Sequence, residues 1–130
     1  MEGIAENKGI ALEIADLLDK HLGEDTIVLE LGEASSWADY FIITTVRSNT
    51  HLSGLIKNLH LFFKEKKIVP LNSYRNIDFK GWALIDLGAI VVHLMDREKR
   101  DFYQLEKLWF KSEVLYHSSK SSKSRSSSMS

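Results

Sequence analysis

A serine-containing loop followed by an acid is the part of this sequence that comes closest to an enzyme site. Ser35 and Ser36 precede Asp39. A second acid, Asp86, stands in a later apolar run. Serines beside an acidic strand suggest nucleotidyl transfer, which needs two carboxylates close together to hold catalytic metal ions. The run directly after Asp39, Tyr40–Thr45, contains no acid. We therefore expect a structural loop whose polar side chains cap backbone amides, and we keep a small metal-dependent nucleotidyltransferase using both acids as the alternative function.

Other catalytic arrangements find little support in the sequence. The chain has no cysteine, which excludes thiol nucleophiles and thiolate zinc sites, and its five histidines form no close pair at metal-ligand spacing. It contains neither a Gly-x-Ser-x-Gly elbow nor a glycine-rich phosphate loop. His93, inside an apolar run, is expected to be a hydrogen-bonded structural residue, with a polar interface contact as the alternative. We expect no catalytic residue, no metal and no cofactor.

Aromatic residues near the end of the chain point to binding instead. Residues 81–109 carry Trp82, Tyr103 and Trp109, residue types that dominate protein-binding hot spots. Leu105 at helical spacing favours core packing. For Trp82 and Tyr103 both a core role and an interface role stay open, because an amphipathic ring serves either.

Composition and charge favour one folded domain followed by a polar tail. The 130 residues suffice for one hydrophobic core. Residues 118–130 are mostly serine with three basic residues, so we expect a disordered tail that is dispensable for folding. Removing the tail's three positive charges from the chain's net charge of −1 leaves residues 1–117 at −4. This acidic body favours a basic protein partner, and little direct RNA contact is expected.

The compartment is also constrained by the sequence. No apolar run reaches the roughly 20 residues that span a bilayer, and the acidic start of the chain has no secretory or import signal. The absence of cysteine fits a reducing compartment. We expect a cytoplasmic protein.

Apolar periodicity predicts three helices and four strands. The helices are expected within residues 10–22, 49–67 and 97–109, and the strands at residues 26–31, 40–45, 82–87 and 90–95. Ser48 or Asn49 and then Asp96 are the predicted N-caps of the second and third helices, and Gly88 is the predicted hairpin turn. In the third helix, Phe102, Leu105 and Trp109 should share one face. The order α-β-β-α-β-β-α predicts an α/β fold in which amphipathic helices cover a mixed sheet.

Several blocks of sequence, in this order, carry a resemblance to a known family. The first three are Asp-Thr-Ile-Val-Leu at 25–29, Ser-Ser-Trp-Ala-Asp-Tyr-Phe-Ile-Ile at 35–43 and Pro-Leu at 70–71. They are followed by Trp-Ala-Leu-Ile-Asp-Leu-Gly at 82–88, Val-Val-His at 91–93 and Arg-Asp-Phe-Tyr-Gln-Leu-Glu-Lys-Leu-Trp at 100–109. The chain resembles the Iojap-like ribosomal silencing factors. The combination is specific, although each block alone is weak.

The resemblance implies both a fold and a function. It implies a nucleotidyltransferase-like α/β fold, in residues 1–117, that lacks the catalytic metal site. It also implies a non-enzymatic protein that binds the large ribosomal subunit through universal large-subunit protein fourteen and sterically blocks association with the small subunit. Such a protein represses translation and is connected with large-subunit biogenesis. The resemblance leaves open a homodimer away from the ribosome.

The residues expected to contact the partner combine aromatic anchors with charged groups that fix orientation. They are Trp82, Asp86, His93, Arg100, Tyr103, Glu106 and Trp109.

Overall fold

A mixed five-stranded sheet forms the centre of the protein. The structure, a computed structural model, describes residues 2–32, 38–72, 80–108 and 113–118, without the side chains of 2–5, Glu106 and Leu108. The elements are α1 (Glu2–Lys20), β1 (Glu24–Glu30), β2 (Tyr40–Thr45), α2 (Asn49–Lys66), β3 (Trp82–Asp86), β4 (Ile90–Met95), α3 (Arg97–Tyr103), α4 (Leu105–Leu108) and β5 (Glu113–His117). The strand order is β3-β4-β2-β1-β5. Strands β2 and β4 run parallel and the other neighbours antiparallel, which confirms the predicted α/β fold.

Helices α1 and α2 cover one face of the sheet. Their apolar residues pack against alternate residues of the strands; the helical contacts include Ile14, Leu18, Leu55, Leu59 and Phe63, and the strand contacts include Val28, Tyr40, Ile42 and Val92. Ser48 is the N-cap of α2, because its Oγ accepts a hydrogen bond from His51 N at 3.0 Å. No helix in the described part of the chain is both long and apolar enough to cross a membrane.

The opposite face of the sheet carries a second apolar cluster. Its buried members include Ile27, Leu29, Phe41, Ile43, Val91, Met95 and Leu105, with Trp82 and Leu84 packed against them. Because both faces are covered at the centre of the sheet, every residue of β2 and β4 is buried. This explains why both strands appear in the sequence as mainly apolar and β-branched runs without alternation.

Helix α3 starts close against the first residues of strand β3. Asp96 is its N-cap as predicted, and its Oδ1 accepts a hydrogen bond from Lys99 N at 2.7 Å. Gly81 lies so near this turn, with a φ of +95°, that a Cβ there would come within 2.6 Å of the Asp96 carboxylate. Only glycine fits both the backbone angle and the space. The contact places helix α3 next to Trp82.

The third predicted helix is shorter than its sequence pattern indicates. Helix α3 ends at Tyr103, because Gln104 adopts a left-handed conformation with φ 48°, and the four-residue helix α4 follows. Phe102 is therefore 77% exposed, whereas Leu105 is only 7% exposed. The prediction that these two residues share one face was wrong, because the break at Gln104 rotates Leu105 onto the sheet and leaves Phe102 in solvent. Trp109 lies outside the described residues.

A fifth strand at the end of the chain was not predicted. Strand β5 pairs antiparallel with β1 at the edge of the sheet, and its residues are exposed or half-buried without regular alternation. Beyond it, Ser118, the first residue of the predicted tail, is buried. Ser118 N donates to Thr26 O at 2.8 Å, and its Oγ donates to Asp19 Oδ1 at 2.7 Å. Residues 119–130 lie outside the described part of the chain.

Candidate docking surface

Trp82 is held at the edge of the sheet by contacts on two sides. As the first residue of edge strand β3, it is half-buried on the same face as the second apolar cluster. Its indole Nε1 donates a hydrogen bond to His93 Nδ1 at 3.1 Å. Its ring lies 4.8 Å from the ring of Tyr103, measured between centroids. These contacts fix the orientation of a large aromatic side chain at the protein surface.

His93 supports Trp82 from inside the sheet. It is 3% exposed, and the ring of Phe41 meets it edge-on with centroids 4.5 Å apart. Burial lowers the pKa of His93 to about 4, so the imidazole is neutral at pH 7. Since Nδ1 accepts from Trp82, the ring hydrogen is on Nε2, which has no hydrogen-bond partner among the described residues. The structure therefore places His93 beneath the surface, as a residue that orients the indole.

Helix α3 presents two exposed rings beside Trp82. Phe102 and Tyr103 are 77% and 42% exposed, and their rings meet edge-to-face at 4.9 Å. Together with Trp82 and the half-buried Leu84, they form what we call the aromatic surface. A contiguous apolar patch of this kind is a common mark of a protein interaction site. The sequence analysis identified Trp82 and Tyr103 but did not select Phe102, which helical periodicity placed on one face with Leu105.

Arg100 is buried and is therefore not part of the aromatic surface. It is 5% exposed, and its guanidinium donates to Thr45 Oγ1 at 3.0 Å and to Glu24 O at 3.3 Å. The neighbouring Arg97 forms an ion pair with the buried Asp25. Both arginines therefore tie helix α3 to the ends of the strands. In this structure Arg100 is a structural residue rather than an exposed contact.

Asp86 lies at the far end of strand β3, where Leu71 and Asn72 make the hydrogen bonds that a neighbouring strand would make. The side-chain amide of Asn72 donates to Leu84 O and accepts from Asp86 N, each at 2.9 Å. Leu71 N donates to Asp86 O at 2.7 Å and leaves the leucine side chain 70% exposed. The Asp86 carboxylate accepts from Gly88 N at 2.8 Å, which stabilises the hairpin turn at the predicted glycine. The edge of β3 is thus partly closed, with an apolar side chain beside it.

The two acids considered for metal-dependent chemistry lie apart. Asp86 is on β3 and Asp39 precedes β2, with β4 between these strands. Two strand spacings, about 10 Å, separate β3 from β2, and the Asp86 carboxylate accepts a hydrogen bond from Gly88 N within its own hairpin. The described residues contain no group of three histidine, aspartate or glutamate side chains that could hold a metal ion. Ser35 and Ser36 lie outside the described residues.

The structure thus brings only some of the sequence-predicted residues together. Trp82 and Tyr103 are in contact on the surface, and His93 contacts Trp82 from beneath. Asp86 lies at the other end of the same strand, and Arg100 is buried under helix α3. The side chain of Glu106 and the whole of Trp109 are outside the described part. Their partner-binding roles stay predictions.

Comparison with known proteins identifies a family model that covers nearly the whole chain. The model described as "Ribosomal silencing factor during starvation" matches residues 5–130. The chain is 31% identical over 102 residues to a ribosomal silencing factor of Bacillus subtilis, an alignment that covers 78% of this chain and 86% of the relative.

Two further similarities extend this result. The chain is 31% identical over 112 residues to the mouse protein named "Mitochondrial assembly of ribosomal large subunit protein 1", and the match covers 82% of this chain but only 49% of the mouse protein. A crystal structure of a Chromobacterium violaceum protein superposes with a TM-score of 0.70 at 27% identity, covering 86% of this chain and 95% of the other. The fold and the sequence therefore point to the same group of proteins.

Proposed function

Because the chain belongs to the family of ribosomal silencing factors, we propose that it represses translation by binding the large ribosomal subunit and blocking its association with the small subunit. The proposed contact on the ribosome is universal large-subunit protein fourteen, on the face that joins the small subunit. The names of its relatives support a ribosomal role: one is called a silencing factor and another an assembly protein of the large subunit. Repression then follows from occupying a surface, without a chemical step.

The aromatic surface is the observation that supports binding most strongly. Phe102 is 77% exposed, although burying a side chain of its size stabilises a complex by about 1.5–3 kcal/mol. Trp82 is oriented before binding by His93 and Tyr103, which lowers the entropy cost of fixing its ring in a complex. An exposed ring beside two oriented ones provides both affinity and a defined geometry. We therefore propose Trp82, Tyr103 and Phe102 as the anchors.

The charge of the surroundings favours a basic partner. Asp101 precedes Phe102 on helix α3; its side chain is 51% exposed and pairs with Arg97 at 3.6 Å, while Asp86 is half-buried at the end of β3. The body as a whole is acidic, with −4 over residues 1–117 once the three positive charges of the tail are removed from the net charge of −1. Ribosomal proteins are generally basic because they contact RNA, so complementary charge would steer the encounter.

The proposal also concerns the compartment in which the protein acts and a homodimer that would compete with ribosome binding. The proposed site of its action is the cytoplasm. A homodimer formed through the aromatic surface would hide the anchors and compete with the ribosome. Sedimentation velocity of the free protein over a range of concentrations would measure the population of such a dimer.

Co-sedimentation with purified ribosomal particles tests the proposed function. The protein is incubated separately with large subunits, small subunits, joined ribosomes and isolated protein fourteen, and bound protein is measured after gradient centrifugation or, for the isolated protein, by calorimetry. We expect near-stoichiometric binding to large subunits and to protein fourteen, with no binding to small subunits. Full occupancy of joined ribosomes would contradict the steric block. Absence of binding to protein fourteen, with binding to large subunits intact, would contradict the proposed partner alone.

A further inference from the structure

The exposed side of helix α2 carries a row of basic side chains. Lys57, His60 and Lys64 follow one another at three- and four-residue intervals, and Lys67 caps the end of the helix. All four are exposed. At 100° per residue these positions fall within about 80° of one another, and they extend over about 15 Å along the helix. We call this row the basic stripe.

The stripe concentrates positive charge on an otherwise acidic body. Among residues 49–67 there are four lysines and a single acid, Glu65. None of the three lysines of the stripe forms an ion pair among the described residues. The fourth, Lys66, lies on the opposite side of the helix and pairs with Glu13 of α1 at 3.2 Å. Although the body has a net negative charge, the exposed side of helix α2 therefore carries three lysines without an ion-pair partner among the described residues.

Helix stability accounts for only part of this pattern. Lysines in the last turn of a helix are favoured by the negative end of the helix dipole, which explains Lys64 and Lys66. Lys57 precedes the end of α2, at Lys66, by about two and a half turns. The dipole effect falls off within the last turn. The alignment of Lys57 with the cations that follow it needs another explanation.

A short segment connects the stripe to the Asp86 end of strand β3. After helix α2, Ile68 N donates to Phe63 O at 2.8 Å, and three residues later Leu71 N donates to Asp86 O at the edge of β3. A groove of about 410 Å³ follows this path and is lined by His60, Phe63, Lys64, Lys67, Ile68, Val69 and Pro70. A partner docked along the edge of β3 would bring its neighbouring surface toward the stripe.

We propose that the basic stripe contacts the phosphate backbone of ribosomal RNA next to the protein partner, an inference that rests on the proposed function. The large subunit is built mainly of RNA, so a protein bound to it must lie close to phosphates. An acidic body is repelled there unless its cations face the RNA. Lysines contact phosphates as point charges and release counterions, which adds affinity without sequence specificity. The stripe thus places the cations of the body where they offset this repulsion.

A charge-neutralising variant with a matched control tests the stripe. The triple variant Lys57→Gln, Lys64→Gln and Lys67→Gln removes its three ammonium groups. The control, Lys8→Gln, Lys20→Gln and Lys66→Gln, changes the net charge equally but lies outside the stripe. Binding of each to purified large subunits is measured at several potassium chloride concentrations, and binding to isolated protein fourteen is measured in parallel. Thermal melts confirm that both variants stay folded.

The expected results separate this inference from the proposed function. We expect the stripe variant to bind large subunits about tenfold more weakly than wild type near 0.1 M salt, with a salt slope reduced by about two to three units. Its affinity for isolated protein fourteen should match that of the control. Equal binding of the two variants to large subunits would overturn the proposed contact between the stripe and RNA, while leaving the proposed function intact. A wild-type protein that failed to bind large subunits would instead contradict the proposed function.

A directed cleavage experiment distinguishes RNA from an acidic ribosomal protein. The chain has no cysteine, so Leu61→Cys, at an exposed position beside the stripe, accepts a tethered iron chelate that cleaves nearby RNA strands. The control position is Glu6→Cys on helix α1. We expect specific cuts in the RNA of the large subunit from position 61 and none at the same sites from position 6. Weaker subunit binding by the stripe variant without such cuts would overturn the assignment to RNA and indicate an acidic protein.

Discussion

The indole N–H of Trp82 donates a hydrogen bond to Nδ1 of His93, with 3.1 Å between the two nitrogens. Trp82 pairs with Met95, and Leu84 pairs with His93, so the bonded residues are diagonal neighbours on one face of the β3–β4 hairpin. The bond requires a neutral imidazole, because a protonated Nδ1 has no lone pair with which to accept. The orientation of the proposed anchor therefore depends on the protonation state of a buried group.

Acid should destabilise the protein through His93. Its pKa is lowered by burial from 6.5 to about 4, so the unfolded chain binds a proton more readily than the folded protein. The contribution of His93 to the free energy of unfolding is fully present above about pH 6.5 and is lost as the pH falls toward 4. Between pH 7 and pH 5 the contribution falls by about 2 kcal/mol. Urea unfolding at the two pH values measures this change.

The variant His93→Gln isolates the contribution of the imidazole. Glutamine does not titrate, so the stability of the variant should change less between pH 7 and pH 5 than that of the wild type, by about 2 kcal/mol. The absolute stability of the variant is lower because packing against Phe41 is altered, but the comparison uses only the pH dependence. Parallel pH profiles would show that His93 keeps its ordinary pKa in the folded protein.

Removing the exposed ring of Phe102 should weaken ribosome binding without weakening the fold. Phe102→Ala should reduce affinity for large subunits about thirtyfold, the effect of losing about 2 kcal/mol at a binding hot spot. Because the ring is 77% exposed, the stability should change by less than about 0.5 kcal/mol. Trp82→Ala is less informative, since the half-buried Trp82 side chain also contributes to the fold.

An exposed leucine outside the aromatic surface provides the control for Phe102. Leu22 is 54% exposed between α1 and β1, and Leu22→Ala removes an exposed apolar group that is not part of the aromatic surface. Its binding should match that of the wild type. If Phe102→Ala stays folded and binds large subunits equally well, the aromatic surface does not supply the anchors.

How far the sequence predicts this protein depends on how local each signal is. Strands β2 and β4 and the caps Ser48 and Asp96 follow from composition and short spacing, and they were predicted correctly. The break at Gln104 was missed because an αL residue other than glycine leaves no local signal. Strand β5 was missed because an edge strand with one partner does not require regular alternation.

The candidate site was also predicted only in part, because some of its features depend on residues that are distant in the chain. Aromatic composition identified Trp82 and Tyr103 from sequence. The burial of Arg100 could not be predicted, because it depends on Thr45 and Glu24, which lie more than fifty residues away in the chain. A charged residue on a short helix next to solvated neighbours has the sequence pattern of an exposed contact. Long-range partners decide between the two roles.

Replacing Arg100 should therefore impair folding rather than binding. Arg100→Met keeps much of the aliphatic volume but leaves the Thr45 hydroxyl and the Glu24 carbonyl without these donors. The free energy of unfolding should fall by about 2–3 kcal/mol, the range for buried hydrogen bonds to a charged group. The exposed Lys107→Met serves as the control and should change stability little. A stable Arg100→Met protein with lost ribosome binding would instead support a direct contact.

The end of the folded body can be located by truncation. Ser118 contributes a hydroxyl bond to Asp19 and an N–H bond to Thr26, so a chain that ends at His117 should lose about 1–3 kcal/mol. A chain that ends at Lys120 keeps both bonds and avoids placing a terminal carboxylate beside Asp19. Its melting temperature should stay within about two degrees of that of the full chain. Equal melting of the two truncated proteins would show that Ser118 adds nothing, and a large loss in the longer one would show that the tail packs on the body.

The order of addition should decide how fast the protein acts on ribosomes. If it and the small subunit compete for one face of the large subunit, it can bind only particles that are already separate. Added before magnesium is raised, it should prevent joining at near-stoichiometric amounts, as light scattering would show. Added to joined ribosomes, it should act at the rate of their spontaneous dissociation, independent of its own concentration. A splitting rate that rises in proportion to protein concentration would mean that it binds joined ribosomes and separates them actively, which a steric block does not do.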